Sequence, residues 1–129
     1  DRWLYQKLTT DSTLQGLIGN RVYVDIAPAD AIYPLVILSF ISAVPTANLS
    51  ADVVWFDELW QIKVIGDQPQ YTNLEDIANR IREILHKASG EVSSGAVIGC
   101  VENQEIRFSE VENGRIYKYL GIEFRIYTQ

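Results

Sequence analysis

The side chains that could carry chemistry are few and lie apart in the sequence. His86 is the single histidine and Cys100 the single cysteine. A zinc site takes about four nitrogen or sulfur donors, and a catalytic nucleophile needs a base held beside it. One His and one Cys provide neither set. His86 reads instead as a residue in the last turn of a helix, where a cation interacts well with the dipole. Cys100 reads as a small buried hydrophobe in a strand, and a lone cysteine allows no disulfide within the chain. Carboxylates group locally as Asp57 with Glu58, Glu75 with Asp76, Glu102 with Glu105, and Glu110 with Glu112. Glu110 and Glu112 would share one face of an extended segment, a placement that could hold a cation or an acid–base pair. No calcium-loop spacing supports this, so the pairs read as solvated surface. The serines lack a nucleophile-elbow context, and the glycines form neither a phosphate-cradling loop nor a dinucleotide fingerprint. The expectation is a protein without a catalytic centre and without a metal, nucleotide or other cofactor.

Two other groups of residues resist a bland reading. Val53, Val54, Trp55 and Phe56 are four apolar residues between a polar stretch and Asp57–Glu58. Alternation along a strand would bury half of them and leave the other half outward, and exposed aromatic residues beside a loop are typical interface anchors. Tyr117, Tyr119 and Tyr127 share a face of the last apolar stretch with Glu123 and Arg125. If no helix covers that face it is a Tyr-rich contact surface; the alternative is that the N-terminal helix lies over it.

The elements that must position these residues can be read from periodicity. Trp3 to Leu8 suits a short helix, and Asp11 or Ser12 can cap a second turn that Gly16 and Gly19–Asn20 end. Val22 to Val24 is a short extended piece, followed by a loop from Ala27 to Pro34. Leu35 to Ala43 is a strand with two apolar faces, one of them Val36, Leu38, Phe40 and Ser42. It should lie centrally or be covered on both sides, and Pro45 should end it. Thr46 to Asp52 reads as a polar turn. Leu59 to Ile65 alternates, with Trp60, Ile62 and Val64 on the buried face. Tyr71 to Ala88 is an amphipathic helix with Leu74, Ile77, Ala78, Ile81, Ile84, Leu85 and Ala88 on its apolar stripe, a capping box at Thr72–Glu75 and Gly90 as its left-handed cap. Glu91 to Gly95 is a loop, Val97 to Phe108 contains a strand, Asn113–Gly114 marks a hairpin, and Arg115 to Thr128 is the last strand. The fold class is therefore α+β: about four antiparallel strands with one long amphipathic helix on one face and short N-terminal helices, in a single domain spanning 1–129.

Composition narrows the partners. A chain of 129 residues can bury about two-thirds of its unfolded surface, so it needs no staple to fold. Eleven Lys and Arg against seventeen Asp and Glu give −6. The cations are scattered, which argues against general nucleic-acid binding and against an anionic membrane surface. No apolar run reaches the ~18 residues of a membrane span, and Asp1–Arg2–Trp3 does not open a signal peptide. A single free cysteine suits synthesis in a cytoplasm. The chain contains no Met, so the expectation is that processing or trimming removed an initiator before Asp1.

The ordered landmarks resemble a known family. Leu14–Gln15–Gly16–Leu17–Ile18–Gly19–Asn20–Arg21–Val22–Tyr23, Ala27–Pro28, and Tyr33–Pro34–Leu35–Val36–Ile37 are similar to the opening of the tail terminator, or tail-completion, proteins of long-tailed bacteriophages. Trp60–Gln61–Ile62–Lys63–Val64 with the following helix, Gly114–Arg115–Ile116–Tyr117, and Gly121 to Tyr127 resemble its middle and closing parts. The resemblance runs from about Leu4 to Tyr127. It implies a non-enzymatic virion protein, assembled in the host cytoplasm, that forms a six-fold ring on the head-proximal end of the tail tube. The ring would stop tube growth and present the surface that joins the head. Implied partners are further copies of the chain, the tail tube protein and head–tail connector proteins, with DNA passing through the lumen unbound. A ring needs two different patches per subunit, and Val53–Phe56 and the Tyr face are candidates. The alternatives are a neck or connector subunit of the same particle, and beyond that a small α+β enzyme or a ligand-binding domain.

Overall fold

The computed structural model describes residues 2–47, 53–67, 72–86, 90–92, 95–112 and 114–128. Its elements are α1 (Arg2–Thr9), α2 (Ser12–Ile18), β1 (Val22–Val24), β2 (Leu35–Ala47), β3 (Val53–Gly66), α3 (Thr72–Leu85), β4 (Gly90–Val92), β5 (Gly95–Glu112) and β6 (Arg115–Thr128). The class is α+β, but the sheet has six strands rather than about four, in the order β1-β2-β3-β6-β5-β4. The two additional strands have three residues each. The first matches the extended piece expected at Val22 to Val24; the second, β4, is too short for a period of two to show and falls where the sequence reads as a polar loop. β1 runs parallel to β2, so the sheet is mixed; the other neighbours are antiparallel.

Local chemistry accounts for the helices. Asp11 caps α2 by accepting the Leu14 N–H at 2.9 Å. Gly16 lies inside that helix, and Gly19 closes it with φ +61, donating its N–H to the Gln15 carbonyl at 2.7 Å. In α3 the stripe of Leu74, Ile77, Ala78, Ile81 and Leu85 is fully buried, as periodicity predicts. The helix lies tight on the sheet at its start: a Cβ on Gly66 would stand 2.8 Å from Leu74 Cδ2. It is shorter than expected at fourteen residues, beside two shorter helices, and Gly90 belongs to β4 instead of capping it. The Thr72 side chain, Tyr71 and Ala88 lie outside what the structure describes.

All three helices pack on the face of the sheet that presents Val36, Leu38, Trp60, Ile62, Val64, Leu120, Ile122, Phe124 and Ile126. This is the main core. Cys100 sits in it, and burial pushes its thiol up to about 12. A smaller cluster of Leu35, Ile37 and Ile65 forms on the other face, with Tyr23, Ala27, Ala31, Tyr33, Tyr117 and Tyr119 packed against it.

The strands are longer than sequence alone predicts. β2 continues through Pro45 to Ala47, and β3 begins at Val53 instead of Leu59. Proline is tolerated where a strand needs no N–H on its outer side, and among the described residues β2 past Leu38 is such an edge. The bulge at Ile41 moves Ser42 off the Phe40 face, since Phe40 opposes Trp60 while Ser42 opposes Leu59. β2 is thus covered on both faces only from Leu35 to Leu38 and is largely exposed beyond Ser39. β5 runs from Gly95 to Glu112, absorbing part of the expected loop.

Candidate assembly surface

Register places the two hairpins at opposite ends of the sheet. β3 pairs with β6 only from Phe56↔Thr128 to Gly66↔Lys118. The β2–β3 hairpin therefore extends past β6 at one end, and the β5–β6 hairpin, turned at Gly114 with φ +79, extends past β3 at the other. Large apolar side chains are exposed on both hairpins. On the first are Phe40, Ile41, Val44 at 56%, Trp55 at 39% and Phe56 at 41%. On the second are Phe108, Val111 at 72% and Ile116. Of these, Trp55 lies past the end of β6 and Val111 and Ile116 past the end of β3, while the others line the paired parts of the hairpins; Ile26 at 80% and Ile32 at 68% are exposed in the segment after β1. Exposed apolar residues that cluster are the mark of a contact surface.

The seven residues singled out from sequence divide between these ends. Val53 and Val54 begin β3; their side chains are not described. Trp55 and Phe56 lie in the strand arm, not in a loop, and alternation turns them to opposite faces, which leaves both half in water. Tyr127 opposes Asp57 near that same end. Tyr119 lies eight residues away, ~27 Å along an extended strand. Tyr117 and Tyr119 belong to the second arm, where the Tyr33 and Tyr117 rings meet at 5.2 Å and Phe108 stacks on Tyr119 at 4.5 Å. The tyrosines thus share one face of β6 but form two groups at its opposite ends. What packs beside Tyr117 and Tyr119 is not the N-terminal helix but the segment after β1, which includes Ala27, Ala31 and Tyr33. Arg21 ties that segment down by donating from Nε to the Pro34 carbonyl at 2.9 Å. The Tyr119 hydroxyl donates to Glu110 at 3.1 Å, and burial with that acidic neighbour raises it to about 12.

Between the arms the open face is polar. Ser39, Gln61, Glu123 and Gln104 form a row across four strands. Glu123 is only 6% exposed, and the Gln104 amide nitrogen lies 2.8 and 3.0 Å from its two oxygens. Arg125 bridges Asp57 at 3.3 Å and Asn103 at 3.2 Å.

The carboxylates are structural partners more than free surface. Glu102 and Glu105 both face Arg82 of α3, with Glu102 at 2.8 Å, and Arg107 joins Glu105 to Glu75 at 2.9 and 2.8 Å. The Arg82 guanidinium holds the Glu105 carboxyl below its usual value. The Arg80 pair does the same to Asp11, at 2.7 Å, and links α2 to α3. His86 stands just past α3, its Nδ1 accepting a long 3.4 Å bond from the Glu102 N–H. Among the described residues no three His, Cys, Asp or Glu side chains gather as metal ligands would, and no helix is long and apolar enough to cross a membrane.

Sequence reasoning missed the apolar residues of the edges. Phe40 and Ile41 were legible only as part of an apolar strand, Val44 fell just past its expected end at Ala43, and nothing but the absence of charge from Leu35 to Ala47 marks that strand as unusual.

Comparison with known proteins adds a family. A family model described as "Tail completion protein gp17" matches residues 2–126. A solved structure titled "Virion of native gene transfer agent (GTA) particle" contains a chain of similar fold, with a TM-score of 0.72. Its sequence is 20% identical, over 98% of this chain and 92% of that one, so the likeness is one of fold. No curated relative matches the sequence.

Proposed function

Since the chain belongs to the tail completion protein gp17 family and is thus a structural component of the virion tail, in contact with other tail or head proteins, we propose that it forms the ring that closes the tail tube. The whole chain acts in this as one domain and performs no chemistry of its own. Copies join head to tail into a ring, six-fold as the resemblance implies. The ring seats on the last tube ring, ends polymerisation and offers its other side to the head connector. The observation that carries this reading is the pair of unlike arms at opposite ends of one sheet. A ring closed by rotation needs two different, mutually complementary patches on each subunit, and one self-complementary patch would give a dimer. Val53 to Phe56 with Tyr127, and Tyr117 with Tyr119, are the candidate contacts, whether to a neighbouring copy, the tail tube or the head connector. A net charge of −6 suits a lumen through which DNA slides without being held.

The test is negative-stain imaging and native mass spectrometry of the purified chain, alone and with tail tube subunits. Rings that cap tubes at a fixed length are the expected result. Rings that bind a head connector and ignore tubes would instead make it a neck subunit. A chain that stays monomeric under every condition would remove the ring.

A further inference from the structure

We infer that copies of the chain join edge to edge, the outer side of β5 in one copy pairing antiparallel with the outer side of β2 in the next. This rests on the ring reading and specifies how its subunits meet.

The sheet ends in strands too short to protect it. β1 pairs only with Val36 to Leu38 of β2, and β4 only with Gly95 to Val97 of β5. Beyond them, among the described residues, no strand lies on the outer side of β2 from Ser39 to Ala47, or of β5 from Gly99 to Ile106. The Glu102 N–H on β5 leans on His86 Nδ1 at 3.4 Å, beyond the length of a good hydrogen bond.

Exposed edges are normally defended by charge, because a row of unpaired backbone groups invites another chain. β2 carries no charged residue from Leu35 to Ala47, and Ile41 and Val44 stand exposed along it. Bulges and Pro45 limit where pairing can occur without forbidding it. A subunit that keeps such an edge undefended keeps it for a partner.

The same chain carries the matching edge. β2 and β6 both run antiparallel to β3, and β5 runs antiparallel to β6, so β2 and β5 point in opposite directions. Rotating a copy about an axis along the strands brings its β2 antiparallel to β5, continuing the alternation already present. The open stretches also lie at one height. The row Ser39, Gln61, Glu123, Gln104 marks one limit, and the row Val44, Asp57, Tyr127, Gly99 the other. β1 ends on one side of this window and β4 on the other, so residues 39–44 and 99–104 can meet without a slide. The β2 stretch is uncharged, so Glu102 meets no like charge there.

Two single-cysteine additions test this. Ser42→Cys and Asn103→Cys lie at exposed positions in the two windows. Cys100 is buried with a raised pKa and does not compete for reagent. The probe is a bis-maleimide long enough to tolerate a two-residue slip, about 7 Å along a strand. The expected result is covalent dimers when the two variants are mixed, none from either alone, and a ladder from the double variant. Either single variant linking to itself would mean a two-fold contact and overturn the inference. Rings seen by native mass spectrometry without mixed cross-links would overturn it while leaving the ring reading intact. A chain that neither assembles nor cross-links would end both. Mixed cross-links in open filaments would support edge pairing and refute ring closure. A second variant, Ile41→Lys with Val44→Lys, keeps the fold and should lose assembly at unchanged melting temperature; assembly retained would count against the β2 edge.

Discussion

The two faces of the sheet are made by the same strands and finished in different ways. One is closed by three helices whose buried leucines and isoleucines meet Trp60, Ile62, Ile122 and Phe124. The other has a three-residue apolar cluster under the segment after β1, a polar row centred on Glu123, and two arms with half-exposed aromatics. The closed face holds the larger of the two buried clusters. The open face and its edges are where the proposed assembly contacts would form. Stability and assembly should therefore separate by mutation, and the following experiments probe that separation.

The largest effect belongs to the closed face. Leu85 is completely buried, whereas the Glu83 side chain is 64% exposed with Arg80 as its partner. Leu85→Asp buries an unpaired carboxylate at a cost of several kcal/mol, a large part of the ~5–15 kcal/mol that stabilises a domain. It should unfold the protein, and Glu83→Ala should change the melting temperature hardly at all. Equal melting temperatures would mean that α3 is wrongly oriented.

On the arm the effect should fall on association. Removing a buried aromatic anchor from an interface typically costs ~2–4 kcal/mol, roughly a thirtyfold to thousandfold loss of affinity. Trp55→Ala with Phe56→Ala should keep the circular dichroism and melting of the subunit and lose ring formation. In an infection it should give overlong tails, or tails that fail to join heads. If the double variant unfolds, the arm is part of the core and the contrast between the faces collapses.

These two regions were not equally legible in the sequence. The α3 stripe was, because a period of 3.6 over fourteen residues averages out noise, and the Asp11 cap and the Gly114 turn have chemical signatures of their own. β4 was not, and β1 read only as a short extended piece with no sign of its partner, since three residues cannot show a period. The arms were hidden for a different reason. Pro45 and the polar residues after it look like a stop, yet a strand with one free side tolerates both. The Tyr residues shared a face by parity alone, and parity carries no information about distance along a fourteen-residue strand. Glu102 and Glu105 looked like solvated charge because Arg82 on α3 meets them only through tertiary packing, although Arg107, two residues on in the same strand, was a local partner of Glu105 that the sequence could have offered.

The open face is not inert, and Gln104 sharpens the point. Its amide is the hydrogen-bond donor to the buried Glu123 carboxylate. Gln104→Ala strands that group, at a cost of about 1–3 kcal/mol. A denaturant midpoint shift of that size should appear, with the slope unchanged. No shift would mean that solvent or a neighbouring group already satisfies Glu123.

The smallest effect returns to the helix layer, where acid should loosen what the core holds. Asp11 caps α2 and pairs with Arg80 of α3, and Arg80 keeps its carboxyl below the ordinary value. A carboxyl depressed in the folded state adds stability that is present above its unfolded pKa of ~3.9 and disappears as pH falls through the folded value. Asp11→Ala removes both cap and charge and should cost about 0.5–2 kcal/mol at neutral pH. Asp11→Asn keeps a capping oxygen and loses only the charge, so it should cost less. Glu105 is depressed as well, and it contributes equally to the acid sensitivity of wild type and both variants. The gap between wild type and Asp11→Asn therefore isolates the Arg80 pair. It should be constant from neutral pH down to about 5 and close as pH falls below ~4. A gap that persists unchanged below pH ~3 would mean that the pair adds nothing through charge and that Asp11 serves α2 as a cap alone.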